Sequence, residues 1–320
     1  MACDRRLLFV CFFLAMPFAF AQAPASSVSR APAASKAVPR GVILVKGATS
    51  SASDATTPVP EGAAAGADSF ESRYFGISYR LPPGWTEKVK GPPPSDSGSY
   101  VLSLLVPSDK IAQSVKGSIL IEAQDLFFTI APASNPLETV TYVRNHLQPS
   151  QEVERAPAEV MIGGHSFIRF DYGSPGIGLH WRVVATEIRC HVVQFIFTGP
   201  DPAVLDAMVA DLSHLKLRGS GIADGAPLCV AGYAVSANII KRVMPTFMGR
   251  FNAIPVRIII DKEGRVKHVH VISAFAEQSA ALTEALMKWR FKPYLKNGRP
   301  VAIETGIMFG QAAQRPAREP

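Results

Sequence analysis

Apolar and polar positions alternate along two long stretches of the chain and lose that period in the stretch before them. From 74 to 85 the order Tyr-Phe-Gly-Ile-Ser-Tyr-Arg-Leu-Pro-Pro-Gly-Trp alternates as a half-buried strand does, then closes in a Pro-Gly turn. Similar runs predict strands over 100–106, 118–123, 159–162, 166–172, 180–186 and 191–198, with helices over 136–147 and 202–212. Further on, Ile254-Pro-Val-Arg-Ile-Ile-Ile-Asp261 enters the turn Lys262-Glu263-Gly264, and a second strand leaves it over 266–272. A helix over 276–289 follows, with Leu282, Leu286 and Trp289 on one face. Asn297-Gly298 is a hairpin turn signal, and a last strand runs over 301–309. Helices beside antiparallel strands in both stretches predict an α+β chain of two domains.

Composition sets the boundaries. Residues 22–68 are rich in Ala, Ser, Pro, Thr and Gly, so the expectation is a flexible linker, interrupted by the apolar run 41–46. Arg5-Arg6, the apolar run 7–20 and Ala19-Phe20-Ala21 read as a secretory signal over 1–21, cleaved before Gln22. That run is short for a membrane span, which needs about 20 residues. The first domain covers 69–217 and the second 227–312, separated by a Gly-rich stretch over 218–225, with a disordered tail over 313–320. In a chain of 320 residues that is 48% apolar, both domains can carry packed cores.

A formal charge of +7 without a dense Lys/Arg cluster argues against nucleic acid and allows adhesion to anionic envelope surfaces. Cys190 and Cys229 remain after the leader. They permit one bridge or two buried thiols, and spacing does not decide between them.

Ile260-Asp261, Gly264, Val266, the helix over 281–286, Trp289-Arg290-Phe291-Lys292-Pro293, Asn297-Gly298, Pro300-Val301 and Phe309 occur in an order that resembles the C-terminal domain of the TonB family. Upstream, 235–243 resembles the segment that precedes a Pro-x-Tyr-Pro element in relatives, although here that element reads Pro245-Thr246-Phe247-Met248. The resemblance implies binding of an extended peptide from an outer-membrane receptor, added as a strand beside the closing strand. Carried onto this chain, the edge is Val301, Ile303, Thr305 and Ile307 on one face, with Ala302, Glu304, Gly306 and Met308 on the other. The first domain, through its aromatic-Gly-Ile-x-Tyr-x-Leu-Pro-x-Gly-Trp opening and the Gly163-Gly164 turn, is similar to PsbP-like α/β/α modules.

Catalytic candidates are weak. His268 and His270 share a strand face and could share a metal ion, but no third ligand lies at a fitting spacing, and solvated polar residues are the simpler expectation. His165, His180 and His191 lack a nucleophile motif nearby. Asp261 and Glu263 are explained by the turn to Gly264, Asp171 and Glu187 carry no assigned role, and Trp289 reads as a core anchor.

The chain is therefore expected to be an exported periplasmic protein that is not an enzyme, holds no cofactor or metal, and binds a protein or extended peptide. Two alternatives stay open: a transducer anchored by an uncleaved leader, and a purely structural envelope protein.

Overall fold

The computed structural model describes residues 47–90, 99–128, 134–217, 226–246 and 253–310. They fall within one compact unit. The leader over 1–21, the apolar run 41–46, Phe247, Met248 and the tail over 313–320 lie outside the described residues.

Strands β1 (Thr49–Ala52), β2 (Ala64–Ala65), β3 (Ser69–Ser72) and β4 (Ile77–Arg80) come first. β5 (Trp85–Lys90), β6 (Ser99–Pro107) and β7 (Ser118–Asp125) precede helix α1 (Pro136–Asn145). A meander of β8 (Glu152–Ile162), β9 (His165–Ser174), β10 (Leu179–Ile188) and β11 (His191–Gly199) leads to α2 (Pro202–Asp211). Short strands β12 (Lys216–Leu217), β13 (Leu228–Cys229) and β14 (Ile239–Lys241) follow. The C-terminal part holds β15 (Ile254–Ile260), β16 (Val266–Ala274), α3 (Ala276–Met287), β17 (Arg290–Phe291), β18 (Tyr294–Lys296), β19 (Arg299–Val301) and β20 (Ile303–Phe309).

The fold is α+β. β5-β6-β7-β11-β10-β9-β8 form a seven-stranded antiparallel sheet. Alternation sends Phe167, Val184, Val193 and Phe195 to one face with Leu205 and Val209 of α2, and Phe170, Val183, Ala185 and Val192 to the other with Val140 of α1. Both helices start where the sequence is built for it. Asn135 and Asp201 accept from the backbone N–H groups of Glu138 and Ala203, each with proline at the next position.

The second sheet has the order β1-β16-β15-β20-β13. One face packs on α3 through Val256, Ile258, Val269, Val271, Leu282, Leu286 and Trp289. The Trp289 indole is buried, and its N–H donates to the Val243 carbonyl at 2.7 Å. Gly264 turns at φ 78°, and a Cβ there would collide with the Phe291 carbonyl. Asn297 and Gly298, at φ 52° and 75°, close the β18–β19 hairpin.

Three expectations need correction. Tyr74 and Phe75 lie in the turn between β3 and β4, because β3 pairs back along β4 and only the later half of the alternating run is strand. The final strand breaks at Ala302, which separates the β19 hairpin arm from β20. Residues 47–68 are not a free linker: β1 pairs antiparallel with β16, Pro60 and Ala63 are buried, and β2 pairs with β3. Pairing needs only backbone groups, so a segment poor in apolar side chains can still dock on an existing sheet edge.

Candidate peptide-binding edge

The register of β15 with β20 pairs Ile260 with Ile303, Ile258 with Thr305, Val256 with Ile307 and Ile254 with Phe309. The Ala302 and Glu304 carbonyls accept from Leu228 N and Val230 N, each at 2.9 Å. Because ladder groups alternate in direction along a strand, 303, 305, 307 and 309 bond to β15, while 302, 304, 306 and 308 face outward. The first half of the proposed edge is thus occupied by the chain's own parallel strand β13. Gly306 and Met308 carry the outward groups of the second half, a stretch of about 14 Å.

Each of the eight expected edge residues has a defined place. Val301 is half-buried in the β19 hairpin arm, and Ala302 is half-buried at the break. Ile303, Glu304 and Thr305 are buried, and Thr305 Oγ1 accepts from Tyr233 N at 3.3 Å. Gly306, Ile307 and Met308 are half-buried. Ile307 joins the α3-side core, and Met308 packs with Phe127, Phe128 and Ile272. A Cβ at Gly306 would lie 2.8 Å from Phe127 Cβ and 2.9 Å from Phe128 Cζ, so glycine lets the loop after β7 close over the strand.

Behind this edge lies a buried charge cluster that the sequence reading did not single out. Arg257 Nε donates to Asp125 Oδ2 at 2.8 Å, and its Nη1 donates to Glu304 Oε1 at 2.9 Å. Tyr74 Oη donates to the same Glu304 oxygen at 2.8 Å, and Arg189 Nη2 reaches Oε2 at 2.8 Å. Burial opposes the charge on Glu304, but Arg257 and Arg189 outweigh it and hold the carboxyl below its ordinary value. Burial, then the Arg257 charge, keeps His191 well below the usual imidazole range. The available signal was one arginine inside the apolar run Ile-Pro-Val-Arg-Ile-Ile-Ile. On the α3 side it would be an error; on the other face it meets Asp125 and Glu304. With both Glu304 oxygens engaged by cations, the cluster is built to hold two sheets together.

The opposite edge of the sheet is closed by β1 and the strap that follows it. His268 and His270 do share a face, but both are buried beneath this strap instead of solvated. His268 Nδ1 lies 2.7 Å from Asp54 Oδ2, and His270 Nε2 lies 3.1 Å from Glu61 Oε1. Among the described residues no three His, Cys, Asp or Glu side chains come together as a metal site. Asp171 is buried and accepts from Arg155 Nε and Arg169 Nη2, while Glu187 is exposed. Cys190 and Cys229 form a disulfide, Cα–Cα 5.8 Å, which ties the β10–β11 turn to β13. Beside β13 an open cleft of about 570 Å³ is lined by Leu228, Lys262, Lys267, Lys296 and Pro300.

Residues 248–310 match the family described as Gram-negative bacterial TonB protein C-terminal. The matched stretch contains β15 through β20 and therefore the proposed edge. No curated protein matches the chain. Among solved structures, the solution structure of cyanobacterial PsbP (CyanoP) from Synechocystis sp. PCC 6803 is similar at 14% identity and a TM-score of 0.34, over 50% of this chain and 99% of that one. A 1.50 Å crystal structure from Bacteroides thetaiotaomicron VPI-5482 is similar at 16% identity and a TM-score of 0.31, over 50% of this chain and 51% of that one. The TonB-like resemblance read from the sequence is thus supported over residues 248–310.

Proposed function

We propose that this is an exported, non-catalytic periplasmic protein that binds a protein partner by taking an extended segment of it along the outer edge of β20. The observation that carries the reading is the pair of outward-facing backbone positions, Gly306 and Met308, on the closing strand of a TonB-like sheet. A partner backbone can satisfy such groups with little demand on sequence, and side chains at alternate positions add selectivity. The remaining edge is short, so the partner makes few main-chain bonds here and gains the rest of its affinity from neighbouring surface.

A titration with receptor-derived extended peptides tests this. Saturable binding is expected, and it should be lost in Met308→Pro, which removes an outward N–H and leaves the ladder to β15 in place. Proline at Ile303 or Thr305 would instead break the sheet itself. Absence of saturable binding, or binding indifferent to Met308→Pro, would leave a structural envelope protein, a role that the buried charge cluster also suits.

A further inference from the structure

The geometry points to the Cys190–Cys229 disulfide as a latch on the β20 edge: its reduction by a dithiol releases β13 and opens residues 302–304 to a partner strand. This rests on the strand-addition reading and adds regulation of the same site.

The two sides of the latch are unequally anchored. Cys190 sits in the tight turn between β10 and β11, where its carbonyl accepts from Leu126 N at 2.9 Å. Its neighbour Arg189 is held by Glu304 Oε2 at 2.8 Å and by the Tyr74 carbonyl at 3.1 Å. Cys229 belongs to a strand of two residues. Pro227 before it has no N–H to extend the ladder, and Gly232 at φ 68° turns the chain away after it. So short an edge strand is marginal without a covalent tie. When the bond is cut, β13 is the side that moves.

The surroundings allow the motion. Both cysteines are half-buried, within reach of a reductant, and the cleft beside β13 gives the released segment room. Tyr233 sets the limit of release, since its hydroxyl donates to the Lys292 carbonyl at 2.7 Å and its ring packs on Tyr294. In the exchange, a thiolate of the dithiol attacks one sulfur, and its second thiol displaces the mixed disulfide. The dithiol becomes a disulfide, and Cys190 and Cys229 each gain one electron and one proton. The outward groups of Ala302 and Glu304 then join those of Gly306 and Met308 in one continuous edge.

Two measurements on the full chain test the latch. Amide hydrogen exchange with and without dithiothreitol should show Val230 and Glu304 exchanging at least tenfold faster on reduction, with the β15 amides unchanged. A Cys190→Ser/Cys229→Ser variant should show the same pattern without reductant. A labelled peptide copying residues 226–233, with serine in place of Cys229, should bind the reduced protein at least tenfold more tightly than the oxidised one. Unchanged protection at Val230 and Glu304 overturns the latch, whatever the peptide does. Faster exchange there with no gain in peptide binding overturns the enlarged docking edge, while the titration of the oxidised protein with receptor-derived peptides decides the strand-addition reading at Gly306 and Met308 separately.

Discussion

Arg257 and Asp125, 132 residues apart, meet as a two-pronged ion pair, with Nε to Oδ2 and Nη2 to Oδ1 both 2.8 Å. Arg257 lies in the five-stranded sheet and Asp125 at the end of β7 in the seven-stranded one, and both are buried. The second face of the TonB-like sheet is thereby fixed against the first sheet. Taking two charges out of water costs several kcal/mol per ion, so the pair adds little net stability over an apolar contact. Its strength lies in what happens when one member is removed.

Arg257→Ala is expected to destabilise the protein by about 3–5 kcal/mol, because Asp125 and Glu304 would stay buried without their cation. Urea unfolding at neutral pH measures it. A loss below about 1 kcal/mol would mean that the carboxylates find other partners.

Glu122 on β7 gives a pH signature. Burial pushes its carboxyl up to about 7 from an ordinary value of 4.5. Its contribution is intact below 4.5 and is lost as pH rises through 7, since folding then forces a charge into the interior. Glu122→Gln keeps an acceptor for Gln194 Nε2, which donates to Glu122 Oε1 at 2.8 Å. It should stabilise the protein by up to about 3 kcal/mol at pH 8 and have little effect at pH 4.5. Equal effects at the two pH values would remove the buried carboxylate from the explanation.

The strap over β16 responds to acid with the opposite sign. A backbone N–H from Thr57, followed by the His268 contact, holds Asp54 below its ordinary value. Burial opposes ionisation of Glu61, but His270 outweighs it and the net direction is also downward. Both contributions are complete above about pH 5 and decline as pH falls through the folded values. The β1 amides should therefore exchange faster from pH 4.5 downward while β6 and β7 stay protected. Simultaneous loss of protection in all three strands would show global unfolding instead.

Gly264 and Gly306 are close-packed for different reasons. Gly264→Ala meets both a positive φ and the Phe291 carbonyl, and should cost at least about 2 kcal/mol. Gly306→Val meets the Phe127 and Phe128 side chains. Lifting them from β20 should expose apolar surface that a dye such as ANS reports before global unfolding.

Much of the C-terminal element order was legible because local chemistry writes it. The Asp261–Gly264 turn, the Asn297-Gly298 hairpin and the Leu282, Leu286, Trp289 stripe each act over a few residues, and the structure places all three. What the sequence concealed was contact at long range. Nothing around Thr49 announces a partner at Ala274, because strand pairing is made by backbone atoms that every residue shares. His268 and His270 looked solvated for the same reason: their burial is supplied by Asp54 and Glu61, more than two hundred residues earlier. Glu304 was expected at the edge, and the cover of that position by the chain's own β13 was not legible, since two residues leave no period to read.

The strap also makes the order of synthesis matter. β1 leaves the ribosome before β16, whose His270 lies 220 residues beyond Ser50. Until that length has been delivered, the small strand has no template and the later sheet has no outer rim. A fragment cut at the boundaries of residues 248–310 would carry the family's signature with an unfinished margin and a bare polar underside. Such a fragment invites dimerisation through borrowed strands, so its assembly state would describe the scissors more than the protein.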